Sequence, residues 1–87
     1  MNTNDAETKA GFIRVTSESH ESYWIRASDI VAIRSRLSGG SLLGTGSLST
    51  EVVCESPDAV LALVEKAKGP DPVFTEMLLK TLREDKP

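Results

Sequence analysis

The sequence has 87 residues, a formal net charge of −3 and one cysteine. A chain of this length forms one domain, and one cysteine excludes a disulfide framework within the chain. The negative charge provides no global basic field for nucleic acid or a membrane surface.

The N-terminal ten residues contain almost no apolar side chains, so we predict a disordered tail over 1–10. A sheet-plus-helix domain is then expected over 11–68, and a hinge with a second helix over 69–87. No apolar stretch approaches the ~20 residues that a membrane-spanning helix needs. Because no basic region followed by an apolar stretch is visible near the N-terminus, we expect a cytoplasmic protein.

Short β-prone runs separated by turn residues occupy the first two thirds of the chain. We predict strands over 12–16, 23–26, 30–37, 42–45 and 48–54. The fourth of these lies in a loop rich in glycine, and the pattern leaves open whether Leu42 and Leu43 belong to a strand or a loop. Together with the helix signals described below, these strands indicate an α+β fold, with a small antiparallel β-sheet of four or five strands followed by one or two C-terminal α-helices.

A strong helix-start signal follows the last strand. Ser56 precedes Pro57, and Asp58 lies in the first turn, a combination typical of a helix N-terminus. A 3.6-residue apolar period then runs through Val60, Leu63, Val64 and Ala67. Gly69 and Pro70 are expected to end this helix near residue 68.

Asp71 and Pro72 repeat the start signal and predict a second helix over 72–84. Its apolar stripe is predicted to consist of Val73, Phe74, Met77, Leu78 and Leu82. A domain with about 60 ordered residues buries only ~60% of its unfolded surface and is marginal alone. We therefore predict a homo-oligomer in which Phe74, Met77 and Leu78 lie at the contact between subunits.

Side chains along a strand point alternately to opposite faces of the sheet. The face toward the first helix is predicted to hold Ile13, Val15, Tyr23, Ile25, Val31 and Ile33. The opposite face is predicted to hold Phe12, Arg14, Trp24, Arg26, Ala32, Arg34 and Arg36. This second set contains four of the five arginines and two of the four aromatic residues. These six of its residues form the candidate partner-binding face: Phe12, Arg14, Trp24, Arg26, Arg34 and Arg36.

Three interpretations of this face remain open. It is a solvated surface on which arginine stems cover the aromatic rings, a protein interface, where tryptophan and arginine are enriched, or a surface for single-stranded nucleic acid, on which aromatic rings stack on bases. The negative net charge and the lack of a ribonucleoprotein-type strand motif weigh against the third.

The usual signatures of catalysis and of cofactor binding are missing from the sequence. The glycine-rich loop over 39–46 lacks the lysine of a phosphate-binding loop. His20 lies in a polar turn and is expected to be exposed, whereas Cys54 is expected to pack as a small apolar residue. Metal ligands do not cluster. We predict no catalytic residue, no metal site and no cofactor, and hence no enzyme.

Val15-Thr16 is followed by Tyr23-Trp24-Ile25, then by Asp29-Ile30 and Ile33, and later by Val52-Val53, Glu55-Ser56 and Val60. This order of residues resembles that of the small FlbD-type flagellar proteins. The resemblance covers about residues 12–67. The chain departs from the family in its first hairpin, which lacks a glycine, in Arg26-Ala27 after the second strand, and in its longer middle loop. The resemblance implies a small cytoplasmic protein without enzymatic activity that acts through protein partners, and it supplies no catalytic residue.

These observations together predict a small protein-interaction or regulatory adaptor module that acts as a homo-oligomer. The alternative is a single-stranded nucleic-acid-binding protein that uses the arginine and aromatic face. The sequence does not identify the partner.

Overall fold

The computed structural model describes residues 8–69 and 71–84. Six strands come first: β1 (Thr8–Lys9), β2 (Phe12–Thr16), β3 (Ser22–Arg26), β4 (Ile30–Ser35), β5 (Ser41–Thr45) and β6 (Thr50–Val53). A short 3₁₀ turn (Ala27–Asp29) separates β3 from β4, and the helices α1 (Pro57–Lys68) and α2 (Pro72–Glu84) follow the strands. The predicted α+β class is confirmed, with one strand more than expected.

The extra strand is β1, which occupies part of the predicted disordered tail. Thr8 lies opposite Ile13 and Lys9 opposite Phe12. Ala10 and Gly11 connect the strands with positive φ angles of 50° and 87°, the backbone that a tight two-residue hairpin requires. The prediction of disorder is therefore wrong for residues 8–10, and the rest of the predicted tail lies outside the described residues.

The strands form two antiparallel sheets, ordered β1-β2-β3 and β4-β5-β6. The end of β2 joins them, because the Cys54 amide donates to the Thr16 carbonyl oxygen at 2.8 Å. The Glu55 carboxylate accepts from the Thr16 amide and hydroxyl, both at 2.9 Å. Glu55 thus fixes the end of β2 beside the start of α1.

The inner faces of both sheets and one face of α1 enclose a single apolar core. Ile13, Val15, Ile25 and Ile33 are buried there, as alternation predicts, and Tyr23 packs against them partly buried. Leu42 and Leu43 both lie in β5, paired with β4 and β6, and Leu43 is fully buried. The helix contributes Val60, Leu63 and Val64.

Alternation fails in β4. The pairing with β5 shifts between Ile30 and Ala32, and a β-bulge of this kind reverses the face to which the following residues point. Ile30 is therefore fully buried, whereas Val31, which was predicted to face the helix, is 42% exposed.

Local side-chain bonds fix the starts of both helices. Ser56 Oγ accepts from the Ala59 amide at 3.2 Å, and Asp71 Oδ1 accepts from the Phe74 amide at 3.1 Å. Both caps were predicted, and both helix ranges are confirmed. Neither helix, in the part of the chain that the structure describes, is long and apolar enough to cross a membrane.

Candidate interaction face

Four of the six residues predicted to form a partner-binding face lie together. Phe12 and Arg26 are cross-strand partners on β2 and β3, and so are Arg14 and Trp24. All four point away from the core, because the intervening residues Ile13 and Ile25 are buried. We call these four residues the outer face.

The other two predicted members lie in β4 and just after its end. Arg34 is an exposed residue of β4 opposite Leu42, and Arg36 forms an ion pair with Glu18 at 3.1 Å. The prediction of one face with four arginines is therefore wrong. The reason is the 3₁₀ turn over Ala27–Asp29, which ends the first sheet and starts the second, so that alternation cannot be extended from β3 into β4.

Trp24 is the most available ring of the outer face, with 41% of its surface exposed. It borders a groove of about 320 Å³ that is also lined by Lys9, Ala10 and Phe12. The Phe12 ring is already engaged, because the Arg26 guanidinium carbon lies 4.9 Å from its centroid, within the range of a cation–π contact. The solvated-surface interpretation expects arginine stems over the aromatic rings, and the structure places the Arg26 guanidinium over Phe12.

A second depression, a cleft of about 360 Å³, adjoins the outer face between β2 and α1. Arg14 and Lys66 contribute cations to this cleft, and the small side chains of Ala59 and Ala62 line it on the helix side. Glu55 also lines the cleft, but its carboxylate is bound to Thr16. Arg14 therefore belongs to both surfaces and connects them.

The local charge of this region is opposite to that of the whole chain. Lys9, Arg14 and Lys66 line the groove and the cleft, whereas Glu55 is the one acidic residue among the described residues that line them. A chain with a net charge of −3 thus has three cations and one acidic residue along the groove and the cleft, and the exposed Trp24 borders the groove.

The three residues predicted to lie between subunits do not form a free apolar stripe. Leu78 is fully buried in the core of its own chain. Phe74 packs against that core and carries the Lys68 ammonium 4.5 Å from its ring centroid, and only Met77 of the three is exposed. The predicted intersubunit contact through Leu78 is wrong, because α2 packs on the edge of β4 and covers its own core.

The chain has one histidine, one cysteine and one tyrosine. His20 is exposed, as predicted, but Cys54 is also exposed, with its thiol 3.3 Å from the Ser17 carbonyl oxygen. Tyr23 donates to Glu51 at 3.1 Å, and burial together with this carboxylate raises the pKa of Tyr23 to about 12. Within residues 8–69 and 71–84, no three His, Cys, Asp or Glu side chains are grouped as metal ligands.

Two contributors to this region were not predicted. Lys9 was assigned to a disordered tail, although Gly11 marks a possible turn that could have revealed the hairpin. Lys66 lies on the exposed side of α1, and only the packing of α1 beside β2 brings it near Arg14.

No known protein family, curated protein sequence or solved structure matches this chain. The resemblance to FlbD-type flagellar proteins therefore stays a prediction, and the fold and the outer face rest on the structure of this chain.

Proposed function

We propose that this chain is a non-catalytic protein-interaction module, of adaptor or regulatory type, whose docking surface is the outer face. The observation that carries the proposal is Trp24, a large ring 41% exposed with Arg14 directly opposite on β2. Tryptophan and arginine dominate the binding energy of protein interfaces, because they combine a large apolar area with directed hydrogen bonds.

The charge of the surface favours an acidic partner segment. Lys9, Arg14 and Lys66 lie along the groove and the cleft, and the Glu55 carboxylate there already accepts two hydrogen bonds from Thr16. Complementary charge speeds association and fixes register. An extended segment with alternating acidic and apolar residues would place its carboxylates on these cations and an apolar side chain against Trp24.

Single-stranded nucleic acid is the alternative partner, and the geometry favours it less. Base stacking needs free aromatic faces, but Arg26 covers one face of Phe12. Arg34 lies on the other sheet, and Arg36, just after β4, is paired with Glu18. Trp24 therefore offers one free ring rather than a platform of rings.

The proposal includes a cytoplasmic location and a homo-oligomeric state. The resemblance to FlbD-type proteins supports the first, because it implies a cytoplasmic protein. The small size of the core supports the second, since a domain of this size gains stability by association.

Titration with two probes tests the partner class. We expect a short peptide of alternating glutamate and leucine to change the fluorescence of Trp24, the one tryptophan of the chain, whereas single-stranded oligothymidylate has no effect at low salt. Charge reversal in Arg14→Glu should weaken peptide binding at least about tenfold, because it replaces an attractive contact with a repulsive one.

Arg34→Glu is the matched control, since it makes the same charge change at an exposed residue of the other sheet. It should alter peptide affinity far less than Arg14→Glu. Equal effects of the two variants would show that only net charge matters and would overturn the proposed face. Binding of the oligothymidylate without binding of the peptide would establish the nucleic-acid alternative.

A further inference from the structure

No residue among 8–69 and 71–84 bonds the outer edge of β3, and the orientation of this edge follows from the pairing of β3 with β2. Backbone hydrogen bonds lie just beyond both ends of this pairing. The Ser17 amide donates to the Glu21 carbonyl oxygen at 2.8 Å, and the Ala27 amide donates to the Gly11 carbonyl oxygen at 2.9 Å. In an antiparallel ladder, residues alternate between bonding the neighbouring strand and pointing away from it. Within β3, Tyr23 and Ile25 therefore bond β2.

The backbone groups of Ser22, Trp24 and Arg26 consequently point outward. The even-numbered residues of β2 show the same alternation independently, because the Thr16 amide and carbonyl are bonded on the side away from β3, to Glu55 and Cys54. The side chains of Ser22, Trp24 and Arg26 are all exposed. Neither the backbone nor the side chains of this edge are covered in the described part of the chain.

The other long sheet edge, formed by β4, is covered. The edge of β4 lies under α2, where Thr81 Oγ1 accepts from the Ile33 amide at 3.0 Å. β3 is the outer strand of its sheet, and β2 is the one described strand that pairs with it. Its register with β2 is unbroken, and its sequence, Ser-Tyr-Trp-Ile-Arg, contains no proline. Proteins usually protect such edges with proline, a bulge or a covering element.

We propose that the edge of β3 pairs with the same edge of a second copy of this chain, antiparallel and about a twofold axis at Trp24. This inference deepens the homo-oligomeric part of the proposed function by naming its interface, and it is independent of the acidic partner. Trp24 then exchanges two backbone hydrogen bonds with Trp24 of the second copy. Ser22 likewise exchanges two backbone hydrogen bonds with Arg26 of the second copy. The twofold axis generates the equivalent pair, in which Arg26 bonds Ser22 of the second copy.

A second copy fits this edge because the strand is self-complementary. An isologous interface sets each surface against itself, and here Arg26 meets the small neutral Ser22 rather than another cation. The two indoles become neighbours, which removes part of the exposed Trp24 surface from water. Pairing also joins the two outer faces into one continuous sheet, so that each dimer would present two docking surfaces side by side.

The first test removes the outward amide of Ser22. Proline is tolerated at the first residue of a strand and on an edge where the N–H faces solvent, and Ser22 meets both conditions. We expect Ser22→Pro to weaken dimerisation by at least about tenfold, because two backbone hydrogen bonds disappear by symmetry. Ser22→Ala keeps the amide and should dimerise like the parent chain, as measured by sedimentation velocity over a concentration series.

A charge pair tests the register and does not depend on proline. Ser22→Glu places a carboxylate opposite Arg26 of the second copy and should strengthen the dimer, whereas Ser22→Lys places like charges opposite each other and should weaken it. General repulsion predicts the reverse, because the chain has a net charge of −3. Stronger dimerisation with glutamate and weaker dimerisation with lysine would therefore support the placement of Arg26 of the second copy opposite residue 22, whereas the reverse order would contradict it.

Hydrogen exchange supplies a residue-by-residue readout in the parent chain. The amides of Trp24 and Arg26 should gain protection as concentration rises, whereas those of Tyr23 and Ile25 should be protected throughout, since they bond β2. A protein that stays monomeric at every concentration, or a dimer in which Ser22→Pro and Ser22→Ala are equal, overturns the inference. These measurements use no peptide, and Arg14→Glu should leave the dimer intact, so that failure here is distinguishable from failure of the proposed docking face.

Discussion

Thr81 of α2 and Ile33 of β4 are linked by a hydrogen bond between a side chain and a strand edge. Thr81 Oγ1 accepts from the Ile33 amide at 3.0 Å and lies 2.8 Å from the Leu78 carbonyl oxygen, to which it donates. Ile33 is fully buried. One hydroxyl thus satisfies a buried amide of β4 that no strand reaches and anchors the second helix in place.

This relationship predicts a specific cost for Thr81→Val. The substitution keeps the branched shape but removes the acceptor, and a buried amide left without a partner costs about 1–3 kcal/mol. Thr81→Ser retains the hydroxyl and should lose much less. Urea denaturation of the three proteins measures the difference, and equal stability of the valine and serine variants would contradict the role assigned to the hydroxyl.

Leu78→Ala tests whether α2 belongs to its own core. A fully buried leucine replaced by alanine leaves a cavity and costs about 2–5 kcal/mol. The loss should not depend on protein concentration, because the contacts of Leu78 are intramolecular. Val73→Ala is the control on the same helix, since Val73 is 82% exposed, and it should change stability by less than about 0.5 kcal/mol. A concentration-dependent effect of Leu78→Ala would instead place α2 between subunits.

The Tyr23–Glu51 pair predicts a loss of stability at alkaline pH. Burial, and then the hydrogen bond to Glu51, raise the pKa of Tyr23 from its ordinary value of 10.0 to about 12. The folded state therefore holds the phenolic proton more tightly than the unfolded state does. The stabilisation is fully present below pH 10 and is lost as pH rises from 10 toward 12.

Tyr23 is the one tyrosine of the chain, so absorbance of the tyrosinate follows its ionisation directly. Glu51→Gln should lower the pKa of Tyr23 toward its ordinary value, because the negative charge beside the phenol is gone. Tyr23→Phe should remove this part of the alkaline loss of stability. An unchanged titration in Glu51→Gln would show that burial alone accounts for the raised pKa.

Two adjacent glycines of the β4–β5 turn allow the cost of backbone strain to be measured apart from the cost of a steric clash. Gly39 and Gly40 have positive φ angles of 98° and 82°, which alanine adopts only at a cost of roughly 1 kcal/mol. A Cβ on Gly39 meets nothing, whereas one on Gly40 overlaps the Val53 carbonyl oxygen. Gly40→Ala should therefore be clearly less stable than Gly39→Ala in thermal unfolding, and equal stabilities would show that this contact relaxes freely.

Local signals made both helices predictable. Ser56 and Asp71 each bond an amide three residues ahead, so that the start of each helix depends on a few neighbouring residues. The faces of β2 and β3 were predictable for a similar reason, since alternation holds along two strands joined by one hairpin. Prediction failed where distant packing decides, at the bulge beside Val31 and at the turn that separates Arg34 from the outer face.

Distant packing also decides which face of α2 is buried, and the hydroxyl of Thr81 is an example. Periodicity favours Val73 and Met77 as members of its apolar stripe, but the structure leaves both exposed. The helix instead turns Leu78 and Thr81 toward β4. A polar residue inside an apolar face carries no sequence signal of its own, because its partner is an amide 48 residues away.

The bond between Glu55 and Thr16 has a consequence for the order of folding. It joins residues 39 apart in the chain, and closing a loop of that length costs about 3 kcal/mol of entropy. The hairpins β2–β3 and β4–β5–β6 have short connections and should form before it. We therefore expect Glu55→Ala to accelerate unfolding while leaving the refolding rate nearly unchanged. Stopped-flow kinetics measures both rates, and a slowed refolding limb would mean instead that the two sheets are joined early, with β2 as the first point of assembly.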